Sequence, residues 1–218
     1  MTGKKEYRSA VTLLGGGDFS SRDLRDAIDI APVLVCADGA ANDASEQGLE
    51  PDLIVGDLDS ISTEVRERFP EKLVRIDDQD TTDFDKCLSH VAAPLIVCIG
   101  FTGFRLDHEL AALASLAKYT THPALLITRY EICFRVPQTL KMPIPEKTTV
   151  SVFPFSSVSA RSKGLKWPLD GLELHPSGII GTSNLTTGPR LEIRVDQGNL
   201  LIMLPRSELQ KVAQALRA

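Results

Sequence analysis

The alternation of hydrophobic and polar positions along the chain changes its rhythm once. Up to about residue 138, apolar runs of strand length alternate with stretches of helical spacing. AVTLLGGG, from Ala10, reads as a strand that stops in glycines. SSRDLRDAIDIA continues it with Leu24, Ala27 and Ile28 on one face of a helix. The unit repeats as a strand over 33–37, a helix over about 40–48 and a strand over 53–55, then as STEVRERF and KLVRID. LIVCIG, GFTGFRLDHELAALASLAKY and PALLITRYEICFRV carry it further. Successive βα units predict a doubly wound α/β domain on a mostly parallel sheet.

Beyond the Pro-punctuated QTLKMPIPEK the helical spacing is lost. TTVSVFPF, SVSARSKGLKWPL, LELHPSGIIGTSNL, PRLEIRVDQG and NLLIML are short runs separated by turn residues, and SELQKVAQALRA closes the chain as a helix. This pattern predicts a small all-β sandwich, with domains over 1–140 and 141–218.

Composition narrows the classes of function. The 218 residues, 43% hydrophobic and 24% charged, suffice for two modest cores and carry no signature of disorder. A net charge of −5 supplies no global field for nucleic acid or an anionic membrane, so phosphate recognition has to be local. The apolar run Ala10 to Leu14 is too short for a signal peptide, and no stretch approaches a membrane span. Cys36, Cys87, Cys98 and Cys133 are widely spaced without a CxxC pair, the expectation being buried thiols in a reducing cytoplasm.

The chemistry concentrates at strand ends. In PDLIVGDLDS, Leu53-Ile54-Val55 is a short buried strand, and Asp57 and Asp59 follow its C-terminal end. Residues i and i+2 of an extended chain point to the same side, and two carboxylates about 4 Å apart repel by about 4 kcal/mol at an effective dielectric of 20. A divalent cation, a shared proton or a neighbouring Lys or Arg would offset that; hard oxygen ligands favour magnesium. The plainer alternative is an Asp-rich turn with Ser60 or Ser62 capping the next helix. Asp38 follows its own strand in ADGAAN, and carboxylates at successive strand ends of a parallel sheet face one crevice. In DDQDTTDFDKCL, Thr81 or Thr82 is a helix N-cap, and Asp83 and Lys86 share the first turn. A helix N-terminus beside a Lys suits a phosphate, and Asp83 can supply a metal oxygen; a dipole-complementing ion pair is the competing account. In RLDH, Arg105, Asp107 and His108 cluster at a loop-to-helix junction.

Taken in order, ADGAAN, PDLIVGDLDS, DQDTTDFDK, GFTGFRLDH, GLKWPL and TSN resemble the thiamine pyrophosphokinase family over nearly the whole chain. The resemblance implies transfer of a pyrophosphoryl group from ATP to the hydroxyethyl group of thiamine, with AMP released and Mg²⁺ required. It implies a catalytic metal site at Asp57, Asp59 and Asp83. It places Asp38, Gln79, Thr82, Lys86, Arg105, Asp107 and His108 around the nucleotide, and Trp167, Ser183 and Asn184 on the thiamine side. It also implies a cytoplasmic homodimer whose site lies at the subunit interface. Trp167, the only tryptophan, either stacks on the substrate or fills the sandwich core. Two positions depart from the family pattern: Phe104 stands where a more Gly-rich segment is usual, and Ala112 where Asn is common. A pterin-alcohol pyrophosphokinase on the same scaffold and a non-catalytic nucleotide- or thiamine-binding protein are the alternatives.

Overall fold

The computed structural model describes residues 4–217. In chain order its elements are β1 (Lys5–Glu6), β2 (Val11–Leu14), α1 (Ser21–Ile30), β3 (Val33–Ala37), α2 (Ala40–Glu46), β4 (Leu53–Gly56), α3 (Thr63–Arg68), β5 (Leu73–Arg75), α4 (Asp83–His90), β6 (Val91–Ala92), β7 (Ile96–Ile99), α5 (Leu106–Lys118) and β8 (Ala124–Ile127). There follow β9 (Glu131–Arg135), β10 (Thr139–Pro143), β11 (Thr149–Pro154), β12 (Val158–Lys163), β13 (Glu173–Leu174), β14 (Gly181–Leu185), β15 (Arg190–Gln197), β16 (Leu200–Pro205) and α6 (Leu209–Arg217). Packing divides the chain into two units, Met1–Ser115 with Leu126–Arg129, and Leu116–Leu125 with Tyr130–Ala218.

In the first unit β3, β4 and β5 form a parallel ladder, β2 pairs parallel with β7, and a single bridge from Val11 to Pro32 places β3 beside β2. The chain therefore winds outward from β2 through β3, β4 and β5, then returns to β7 on the other side of β2. That reversal is where open parallel sheets bind ligands, just beyond the strand C-termini. Every residue of β2, β4 and β7 is buried, as continuous apolar runs covered on both faces require. Three of the helices, α1, α3 and α4, start on side-chain caps. Ser20 accepts from the Asp23 N–H at 3.2 Å while the Asp23 carboxylate returns to the Ser20 N–H, and Ser62 and Thr82 cap α3 and α4.

The second unit holds two antiparallel sheets, ordered β10-β15-β12-β13 and β14-β11-β16-β9. Alternate residues of the first point inward, among them Leu140, Met142, Leu191 and Ile193, and β16 is buried along most of its length. This is the sandwich that the short alternating strands predict. β9 pairs with β16, Arg135 opposite Leu201, and groups by packing with the second unit. No helix among the described residues is long and apolar enough to cross a membrane.

Candidate active site

A cleft of about 520 Å³ opens at the strand C-termini of the first unit, on the side where the winding reverses. Gly15 to Gly17 after β2 and Gly100 to Thr102 after β7 form part of its wall, joined by hydrogen bonds from Gly15 N to Ile99 O at 2.8 Å and from Asp18 N to Thr102 O at 2.8 Å. Gln79, Thr82, Asp83 and Lys86 approach from the start of α4, and Arg105 and His108 from the start of α5.

At its acidic edge, one carboxylate oxygen each from Asp38, Asp57 and Asp59 lies within 4.8 Å of the other two. Asp38 is 4% exposed, and its Oδ1 is a buried acceptor with no hydrogen-bond partner. Burial raises its pKa, with the charges of Asp83, Asp57 and Asp59 adding to the effect and a Ser60 backbone N–H opposing it. A buried, unpartnered oxygen facing two further carboxylates is the donor set a hard divalent cation satisfies. Gly56 makes this possible: a Cβ there would come within 2.7 Å of the Asp38 Cβ.

Asp83 lies outside this group. Its Oδ1 accepts from Lys86 Nζ at 3.0 Å, and the same ammonium lies 3.8 Å from Asp57. Lys86 is 5% exposed. Burial lowers its pKa, but the hydrogen bond and charge of Asp83, with the charges of Asp57 and Asp38, outweigh this and hold it above the ordinary value. Lys86 thus stands as a buried cation beside the acidic cluster.

Thr82 caps α4 by accepting from Asp85 N at 3.2 Å, which leaves the helix N-terminus facing the cleft. The turn before it is built by Asp78, which accepts from Asp80 N and Thr81 Oγ1, both at 2.9 Å. Asp78 also lines the cleft and was not among the expected residues, although an Asp accepting two residues on is a recognisable turn signal. Phe84 and Phe101 stack at 4.2 Å in the same wall, joined by Phe104 and Ala112. Arg105 and Asp107 form an exposed pair at 2.6 Å, so only Arg105 of the two reaches the cleft lining.

The three remaining expected residues lie in the second unit. Trp167 and Asn184 line a pocket of about 210 Å³ with Leu172, Ile179 and Ile180. Trp167 is 53% exposed, so it does not fill the sandwich core, and Lys166 Nζ lies 4.5 Å from its ring centroid. Asn184 is buried; its amide accepts from Trp167 N at 3.1 Å and donates to Trp167 O at 2.6 Å. Ser183 has a left-handed backbone, φ 59°, and its N–H donates to Ser151 Oγ at 3.0 Å.

Comparison with known proteins agrees with both units. The family model described as the thiamin pyrophosphokinase catalytic domain matches residues 24–127, and that of the thiamin pyrophosphokinase vitamin B1 binding domain matches residues 132–200. Thiamine pyrophosphokinase 1 of Oryza sativa subsp. japonica is 30% identical, with 77% of each chain covered. Thiamine pyrophosphokinase 3 of the same plant is 31% identical over 72% of each chain. The solved thiamin pyrophosphokinase from Candida albicans shares the fold, with a TM-score of 0.74 at 20% identity, covering 91% of this chain and 89% of that one. With both domain models matched in order and relatives of this similarity, the chain belongs to the thiamin pyrophosphokinase family.

Proposed function

We propose that this chain is a thiamine diphosphokinase, transferring the pyrophosphoryl group of ATP to the hydroxyethyl oxygen of thiamine and releasing AMP. The observation that carries this reading, beside the family itself, is the acidic group at the cleft edge with the unpartnered Asp38 oxygen inside it. Asp38, Asp57 and Asp59 would hold Mg²⁺, which when bound offsets charge on the transferred phosphates.

The chain's own groups do the rest by positioning and charge, as phosphoryl-type transfer requires. Lys86 brings a buried ammonium to the phosphates, and Asp83 holds that ammonium in place and charged. The α4 N-terminus behind Thr82, with Gln79, offers N–H groups to an anion. Arg105 and His108 flank the cleft from α5. Trp167 offers a flat, half-exposed face to the thiamine rings, and Ser183 and Asn184 shape the wall behind it. Asp107 orients Arg105. In this reading the functional division follows 1–140 for ATP and Mg²⁺ and 141–218 for thiamine, in a homodimer whose subunits share each site. A cytoplasmic location accords with four free, buried cysteines among the described residues.

The deciding assay measures AMP release from ATP and Mg²⁺ with thiamine, a hydroxymethylpterin or no acceptor, with the product identified by mass. Thiamine-dependent AMP with a matching diphosphate is expected. Turnover with the pterin alone would overturn the acceptor, and silence with both would leave a binding protein. Asp57→Asn or Asp59→Asn should lower turnover by about three powers of ten with the fold retained, a rise of order 4 kcal/mol in the barrier. Near-wild-type rates in both would remove the metal assignment.

A further inference from the structure

We infer that Asn42 and Arg66 are positioning residues that hold the Asp57–Ser62 turn in the shape that gathers the three carboxylates. The inference rests on the reading of Asp38, Asp57 and Asp59 as the cation site. That turn is an unfavourable structure on its own. Its Leu58 has φ 66° and the facing Asp38 has φ 44°, both in the left-handed region that non-glycine residues avoid. Its carboxylates repel one another whenever no cation lies between them. Within the turn, Ser60 Oγ donates to Asp59 Oδ1 at 2.8 Å, and the Asp59 N–H reaches Asp57 Oδ1 only at 3.4 Å. Neither bond ties the turn to the sheet.

Besides the Ser60 N–H bond to the Asp38 carboxylate, the ties come from two neighbouring helices. From α2, the Asn42 amide donates to Ser60 O at 2.9 Å and accepts from Ser62 N at 3.0 Å. Only one orientation of that amide serves a carbonyl and an N–H at once, so its direction is set by the backbone it holds. From α3, Arg66 donates through its guanidinium to Leu58 O, the carbonyl of the left-handed residue itself. Gly39, at the start of α2, lets the helix approach closely: a Cβ there would lie 3.0 Å from the Ser60 Cβ. The two side chains thus grip the turn on both sides of Asp59 without belonging to the carboxylate group. Groups that orient metal ligands from behind typically alter metal affinity by about 10- to 100-fold.

The test compares the full-length wild type with Asn42→Ala and Arg66→Leu. Mn²⁺ binding is followed by electron paramagnetic resonance with α,β-methylene-ATP present, and Mg²⁺ titrations of the rate are run in parallel. Each variant should bind Mn²⁺ about 10-fold more weakly and need correspondingly more Mg²⁺ for half-maximal rate. The rate at saturating Mg²⁺ should fall far less, and the KM for thiamine should hold. A change that only lowers the folded fraction would reduce the number of Mn²⁺ sites and the maximal rate at constant affinity, and would overturn the inference. Should Asn42→Ala fail to fold, Arg66→Leu decides, since it alters one contact at the surface of α3. Unchanged Mn²⁺ affinity in the folded variants overturns the inference alone. Absence of Mn²⁺ binding by the wild type overturns the cation-site reading and this inference with it.

Discussion

Trp167 shows how much a residue's environment adds to its identity. In the sequence it is one aromatic within GLKWPL, suited to a core or to a ligand. The fold leaves it 53% exposed beside a small apolar pocket, while the neighbouring Asn184 is buried and spends both ends of its amide on the Trp167 backbone. Asn184, expected as a thiamine contact, therefore also acts as the support that presents the indole. Loss of an aromatic face against a flat or cationic ring removes about 1–2 kcal/mol. Trp167→Ala should accordingly raise the KM for thiamine by roughly 5- to 30-fold and leave the KM for ATP within about twofold. Steady-state kinetics with each substrate varied in turn check this; equal rises in both constants would sink the assignment.

At the scale of elements, two helices begin on comparable hydroxyl caps but face different surroundings. Ser20 caps α1 in a capping box, whereas Thr82 caps α4 at the wall of the cleft. Removing either hydroxyl, Ser20→Ala or Thr82→Ala, should cost about 1 kcal/mol of stability, measured by urea unfolding. Only Thr82→Ala should also raise the KM for ATP, and parallel kinetic effects would show that α4 contributes no more than framework. Such caps, and the strands between them, were readable in the sequence because they are local: a hydroxyl, a carboxylate three residues on, and an apolar run. What was not readable depends on partners far along the chain. β9 has the composition of one more α/β strand, and only its pairing with β16 puts it in the sandwich. Likewise Asp83 and Lys86 were legible as an i, i+3 pair, but whether Asp83 serves the lysine or a metal depends on where β3 and β4 bring Asp38 and Asp57. The role of Asn42, the last residue of ADGAAN, was not readable for the same reason, since it lies 18 residues from the carbonyl it holds.

For the molecule as a whole, His90 links stability to pH, and two residues allow the proposed assembly to be tested. His90, at the end of α4, is 9% exposed, and burial lowers its pKa from the ordinary 6.5. Its folded state therefore takes up a proton at lower pH than the unfolded chain does. The stability it allows is complete above about pH 6.5 and is lost as pH falls from there through its folded pKa. Thermal unfolding followed from pH 7 to about pH 5 should show the Tm of wild type falling more steeply than that of His90→Gln, and parallel curves would mean that other groups set the acid limit. Assembly is tested by mixing two defective chains. Asp59 belongs to the acidic edge of the first unit and Trp167 to the pocket of the second. If each site draws its acidic edge from one subunit and its tryptophan from the other, a hybrid of Asp59→Asn with Trp167→Ala has one site carrying both lesions and one carrying neither. Random reassociation makes half the dimers hybrids, so about a quarter of wild-type activity should return at low thiamine. If both elements of a site come from the same chain, every site in the hybrid carries one lesion, and mixing restores nothing above the sum of the two variants measured apart.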